Sequence, residues 1–334
     1  MPCNIVIGGF FGDEGKGKII AYIVKKDNVN LAARGGVGPN AGHTFNLNGQ
    51  TFKVRMLPSA AFNINTKLAI GAGVLVDPKI LLNEISSFQA QGRTFVDSHC
   101  GIIKEEHIQQ DSTESFLKDK IGTTGTGTGP ANSDRALRKL SLARDCSEIK
   151  DYLSDVSCMI HSDLEKNNNI LLEGTQGTYL SLYYGRYPFV TSKDVTASSV
   201  CADVGIGPKS IDKVIIVFKS YITRVGGGPL ENELDREEIQ RRGWLEYGSV
   251  TGRERRSSPF NIDLAKRAIR LNGATSFALT KLDVLFPECA GVKDYSKLSQ
   301  HAKKFIEEIE AELGLKAELI GTGIDVDSVI DKRS

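Results

Sequence analysis

Short apolar runs recur along the chain, and most close on glycine or a polar residue. Asn4-Ile5-Val6-Ile7-Gly8, Val29 to Ala33, Leu68 to Ile70, Thr94 to Val96, Ile170 to Leu172, Val214 to Tyr221, Ser276 to Leu279 and Glu318 to Ile320 are short and continuous, which predicts strands buried on both faces. Ile19 to Val24, Pro78 to Gln91, Cys146 to Leu164, Asp263 to Leu271 and His301 to Leu313 carry the helical pattern between them. Asn48-Gly49, flanked by Thr44 to Leu47 and Thr51 to Val54, predicts a hairpin whose turn residues are left-handed. The alternation predicts an α/β fold: a mainly parallel, twisted central sheet with helices on both faces and a P-loop-like nucleotide-binding architecture. With no repeat and no long linker, one domain over 1–334, carrying loop and subdomain insertions, is expected.

Composition narrows the function classes. Formal net charge is +1 over 334 residues and the basic residues are spread, so no nucleic-acid partner is expected. Six cysteines form no C-x-x-C pair, which suits a reducing, cytoplasmic setting. No apolar stretch approaches the roughly 20 residues of a membrane span, and no membrane partner is expected. His99-Cys100 is the one close pairing of soft ligands, so zinc is not expected either.

The candidate chemistry sits in glycine-rich loops at predicted strand ends. Gly9-Phe10-Phe11-Gly12-Asp13-Glu14-Gly15-Lys16-Gly17-Lys18 turns a buried strand into a helix, a geometry that aims backbone N–H groups at a phosphate. The pattern Gly12-x-x-x-x-Gly17-Lys18 is followed by Ile19, where a magnesium-binding hydroxyl is usual, so the metal must find Asp13 or Glu14 instead. Arg34 to Thr44 is a second such loop, with His43 its only group titrating near neutrality. Ile121 to Pro130, rich in Thr and Gly, suits a phosphate monoester or is a flexible tether; Arg135, Arg138 and Lys139 after it face the same anion or line a solvated helix. Gln176 follows a buried strand at the position where open α/β sheets bind ligands. Thr251 to Arg256 holds three guanidiniums, an anion clamp or a solvated turn. Lys281-x-Asp283 at a strand end suits guanine, whose N1–H and amine donate to a carboxylate as adenine cannot. Gly71-Ala72-Gly73 imitates a dinucleotide fingerprint but lacks the third glycine.

A guanine-nucleotide switch also uses a phosphate loop and Lys-x-Asp, but it needs a hydroxyl where Ile19 stands and an Asp-x-x-Gly strand end. The one such sequence, Asp119 to Gly122, follows a polar stretch. An amide-forming or phosphoryl-transferring enzyme with another acceptor stays open from spacing alone.

Taken together, Gly12 to Lys18, Asn40-Ala41-Gly42-His43-Thr44, Ile121 to Pro130, Glu173 to Thr178, Tyr187 to Ser192, Thr223 to Gly226, Thr251-Gly252-Arg253 and Thr280 to Leu285 resemble the adenylosuccinate synthetase family from end to end. The resemblance implies a GTP-dependent ligase that joins IMP and L-aspartate through a 6-phosphoryl intermediate, in the first committed step from IMP to AMP. It implies Asp13 as base toward the N1 proton of IMP, His43 as acid toward the leaving phosphate, and Gln176 and Lys16 beside them in catalysis. Asp13 and the Gly42 carbonyl would hold one Mg²⁺ per subunit. GTP would lie on Gly12, Asp13, Glu14, Gly15, Lys16, Gly17, Lys18, Gly42, His43, Thr44, Arg255, Lys281, Leu282, Asp283, Gly321, Thr322 and Gly323. IMP would meet Asp13, Lys16, Asn40, Ala41, Gly42, His43, Thr124, Gln176, Thr191 and Arg253, with Arg138 arriving from the partner of a homodimer. Aspartate would meet Ser249, Val250, Thr251, Gly252, Arg253 and Arg255. The chain departs from the family in being short, in Phe10-Phe11 for Gln-Trp, in Thr126 for an arginine, and in Lys193-Asp194-Val195 for a Ser-Asn-Thr type run.

Overall fold

The predicted runs become strands because each is buried on both sides. In the computed structural model, which describes residues 2–248 and 252–333, ten strands form one sheet: β1 Cys3–Gly8, β2 Leu31–Arg34, β3 Lys67–Ile70, β4 Thr94–Asp97, β5 Leu153–Ser154, β6 Ile170–Glu173, β7 Lys213–Lys219, β8 Ser276–Thr280, β9 Ala317–Gly321 and β10 Val329–Asp331. Their order across the sheet is β10-β9-β8-β7-β1-β6-β2-β3-β4-β5, and every pair but β9–β10 is parallel. Alternate side chains point to opposite faces. Ile5, Ile7, Leu172, Phe218 and Phe277 pack on one face beneath Ile160, Val200, Leu264 and Ile306. Val6, Leu171 and Val217 pack on the other against Ile19, Ile20 and Ile23 of α1 (Lys16–Lys26) and Leu81 and Ile85 of α2 (Pro78–Ser87).

Parallel strands put all their carboxyl ends on one edge. The first strand lies at the centre, between β6 and β7, so the loops after β1, β2, β6, β7 and β8 converge there. The hairpin forms as expected, from His43–Leu47 and Gln50–Val54, with positive φ at Asn48 and Gly49.

Two expectations fail locally. The stretch Cys146 to Leu164 is not one helix: a short 3₁₀ segment, Ser147–Tyr152, precedes β5, and the helix proper is Val156–Glu165, capped by Asp155. Asp155, whose carboxylate accepts from Cys158 N, supplies cap chemistry that breaks the apolar period. The run from Val214 to Tyr221 is also divided, because Ser220 donates to the Lys281 carbonyl and Tyr221–Arg224 leaves the sheet to pair with Arg256–Pro259. Gly71 and Gly73 serve close packing: a Cβ on Gly73 would lie 1.9 Å from Asp203 Oδ1.

Candidate active site

Two cavities open on this edge and share Gly12, Asp13, Gly42 and His43 as a common wall. The larger, about 360 Å³, has Asn40, Thr124, Thr128, Gln176 and Thr191 among its polar lining and Phe11, Ile121, Phe189 and Val225 among its apolar lining. The smaller, about 210 Å³, is lined by Gly15, Lys16, Gly17, Lys18, Thr44, Glu246, Arg255, Lys281 and Gly323.

The first loop shapes the smaller cavity. Gly15, at φ 81°, caps α1 without a side-chain bond, so the first N–H groups of the helix have no partner from a capping side chain. Glu14 turns inward: Oε1 accepts from the N–H groups of Phe10 and Gly12, both at 2.8 Å, and Oε2 pairs with Lys16 Nζ at 3.1 Å. Lys16 also donates to the carbonyls of Gln176 and Gly12. Lys18 donates to the carbonyls of Gly323 and Ser328 at 2.5 and 2.8 Å, and burial pulls it down to about 8 although Asp283 and Asp325 oppose this. Ile19 is fully buried in the core, so no metal ligand stands there.

The common wall carries the reactive groups. The last residues of β2 and β6, Arg34 and Glu173, lie in register and form a fully buried ion pair at 3.1 Å. Glu173 also accepts from Ser59 N at 2.6 Å and lies 2.5 Å from His43 Nδ1. Burial opposes the charge on Glu173, yet His43, Arg34 and the Ser59 N–H hold its carboxyl below the ordinary range. Burial likewise pulls His43 below its ordinary 6.5 in spite of Glu173. The imidazole is therefore neutral, donates Nδ1–H to Glu173 and keeps a lone pair on Nε2. Asp13 Oδ1 pairs with Arg255 at 2.9 Å, and burial raises its carboxyl despite Arg255 and Lys219.

Asp13 Oδ2, Asn40 Oδ1, His43 Nε2 and Gln176 Nε2 are buried without a hydrogen-bond partner, and all four residues line the larger cavity. A buried unpaired polar atom costs about 1–3 kcal/mol. Four in one cavity mark a surface built for a polar ligand.

The adenylosuccinate synthetase family model matches residues 5–147 and 139–289, a span that includes this shared wall. This chain belongs to the adenylosuccinate synthetase family. The adenylosuccinate synthetase of Methanocaldococcus jannaschii is 53% identical over 100% of this chain and 98% of that one, and a Methanococcus maripaludis enzyme is 52% identical over the full length of both. The fully ligated Plasmodium falciparum adenylosuccinate synthetase superposes with a TM-score of 0.92 at 26% identity, covering 99% of each chain. The chain is thus an enzyme of the ligase class, and these two relatives are of nearly the same length.

Other expected residues of this adenylosuccinate synthetase family member fall in several places. Asn40 Nδ2 donates to Thr191 Oγ1 at 3.2 Å, and Thr124 pairs with Thr126 at 2.9 Å, so the threonine that replaces an arginine is a neighbour of the candidate phosphate contact. Arg253 donates to the Gly122 carbonyl at 2.7 Å, and Ala41 also lines the larger cavity. Asp283 Oδ1 is buried without a partner two residues after Lys281, whose φ is 62°. Leu282 and Gly321 are buried and the Thr322 hydroxyl donates to the Val292 carbonyl at 2.6 Å, so they shape the loop. Arg138 is exposed and lines neither cavity of its own chain, and Arg135 donates to the carbonyls of Ala72 and His99. Gly252 is exposed at φ 65°, while Ser249, Val250 and Thr251 lie outside the described residues. Phe10 is core, packed on Phe218 and Phe260, and Phe11 lies under the Arg224 guanidinium at 4.6 Å. Lys193 pairs with Asp203.

Sequence reasoning gave no role to Arg34, Ser59, Glu173, Lys219 or Glu246. A signal did exist for three of them: Arg34, Glu173 and Lys219 each end an apolar strand with a charge, which only a partner at the sheet edge can satisfy.

Proposed function

We propose that the chain joins IMP and L-aspartate at the expense of GTP, through 6-phosphoryl-IMP. One observation carries this reading: Asp13 Oδ2 and His43 Nε2, unpaired, sit on the wall common to two cavities. The smaller cavity suits GTP, its phosphates at the start of α1 and its guanine at Asp283. The larger suits IMP, its phosphate at Thr124, Thr191 and the start of the Thr128–Ala136 helix. Asp13, raised by burial, takes the N1 proton of IMP, and the electrons freed at N1 make the 6-oxygen nucleophilic. That oxygen bonds to the γ-phosphorus as the bond to the β–γ bridging oxygen breaks. Gln176 Nε2 donates to the 6-oxygen. His43, neutral alone, gains proton affinity beside phosphate anions and stabilises the charge transferred, while Glu173 holds its ring. The aspartate amine then bonds to C6, and phosphate leaves with the original 6-oxygen.

The donors present suit Mg²⁺: the unpaired Asp13 Oδ2 and the Gly42 carbonyl on the same wall are hard oxygens, as that ion requires beside phosphates. When bound, it neutralises charge on the transferring phosphoryl group. A homodimer, which the family resemblance implies, is supported by the exposure of Arg138 outside both cavities of its own chain. In the test, purified protein receives IMP, GTP and aspartate together or with one omitted. GDP, phosphate and adenylosuccinate should appear only with all three, and GDP release that ignores IMP and aspartate would defeat the reading.

A further inference from the structure

Glu246 occupies the middle of a charge cluster that also takes in the carboxylates of Asp13 and Asp283. Its Oε2 lies 2.8 Å from Lys219 Nζ and 2.5 Å from Arg255, and its Oε1 accepts from the Tyr221 hydroxyl at 2.5 Å and lies 3.6 Å from Lys281 Nζ. Burial opposes its charge, but Lys219, Lys281 and Arg255 together hold it anionic. The four partners come from different places: the end of β7, the strand that leaves the sheet, the loop after β8, and the residue just before the Arg256–Pro259 strand.

The backbone at Glu246 forms the foot of a hairpin. Arg255 N donates to the Glu246 carbonyl at 2.9 Å and Gly248 N to the Arg253 carbonyl at 2.8 Å, with a bridge between Tyr247 and Glu254. Gly252 and Arg253, next to that foot, belong to the segment that the family resemblance implies for aspartate. Arg255 continues from Glu246 to Asp13 at 2.9 Å. One carboxylate thus touches the base-reading lysine, the foot of the aspartate loop and, through one guanidinium, the proposed base.

We propose that Glu246 is a positioning residue that couples the guanine-nucleotide cavity to the aspartate loop. Through Lys281 it senses the occupant of the smaller cavity, and through Arg255 it fixes the hairpin foot, so nucleotide binding raises affinity for aspartate. By sharing Arg255, it also keeps that cation from holding Asp13 alone. The inference rests on the proposed function for the identity of the two ligands. Removing the charge lowers stability by taking the charge partner of Lys219, but Lys219 keeps Thr223 Oγ1 at 3.0 Å and a glutamine keeps an oxygen for the Tyr221 hydroxyl.

Glu246→Gln tests this. Expected is a rise of about tenfold in the KM for aspartate, larger than the fall in kcat, with the KM for IMP within about twofold. Aspartate KM measured against GTP concentration should fall with GTP in the wild type and stay level in the variant, and Glu246→Asp should restore part of the dependence. Isothermal titration of GDP, which needs no turnover, should show weaker binding to Glu246→Gln. Should that variant not fold, Lys281→Met, whose side chain is 38% exposed, should abolish the same GTP dependence. Equal losses for all three substrates, or a variant identical to wild type in both assays, would overturn the coupling. A wild type that makes no adenylosuccinate would instead remove the proposed function, and GDP titration would still be readable.

Discussion

The two cavities differ in how their polar groups are occupied. In the smaller one the cations are already engaged: Lys16 by Glu14 and two carbonyls, Lys18 by two more carbonyls, and Lys281 and Arg255 by Glu246. On the wall the two share, Asp13 Oδ2 and His43 Nε2 have no hydrogen-bond partner, nor do Gln176 Nε2 and Asn40 Oδ1 deeper in the larger one, although each residue is otherwise anchored. On the proposed function, Lys16 and Lys18 exchange protein carbonyls and a carboxylate for phosphate oxygens, so phosphate binding there is a substitution. The reactive wall meets its first partners in the substrate, so its geometry is set beforehand.

The sharpest way to break this contrast is Asp13→Asn. With the proton acceptor removed, adenylosuccinate formation should fall by a factor on the order of a thousand while GDP still binds, and near-normal turnover would end the assignment. Next comes Glu173→Gln. His43 loses the acceptor that fixes its ring and Arg34 is left buried without its charge partner, so turnover should fall about a hundredfold and urea unfolding should show a loss of about 3 kcal/mol. An activity loss without a stability loss would mean Arg34 is not buried as described. Asp283→Asn probes the proposed guanine contact, whose Oδ1 has no partner: discrimination of GTP over ITP, which lacks the exocyclic amine, should fall about tenfold with the KM for IMP unchanged.

Acid stability is the smallest effect. Glu173 and Glu246 are held below their ordinary 4.5, so each contributes stability that is present above about that pH and is lost as pH falls through the folded value. Glu246→Gln should therefore show a shallower loss of urea stability below pH 4.5 than the wild type. A steeper loss would contradict the anionic state of Glu246.

The strands and first loop were legible because local chemistry decides them: apolar runs ending in glycine, and Asn48-Gly49 in a turn that requires positive φ. The break before Val156 was not, since Asp155 acts through a cap that an apolar periodicity count ignores. Asp13, His43 and Gln176 could be nominated from loop position, and the family resemblance gave them roles. Glu173 and Glu246 could not, because their meaning lies in partners remote in sequence: Glu173 meets Arg34 and His43 across two parallel strands, and Glu246 meets Lys219 and Lys281 from three segments. Register and tertiary convergence bring such groups together, and neither can be read from spacing.

The central claim is that a phosphoryl group crosses the Asp13–His43 wall onto the 6-oxygen. IMP carrying ¹⁸O at that position, turned over with GTP and aspartate, tests it directly. The account predicts that the label leaves in inorganic phosphate, and unlabelled phosphate alongside normal adenylosuccinate yield would contradict it.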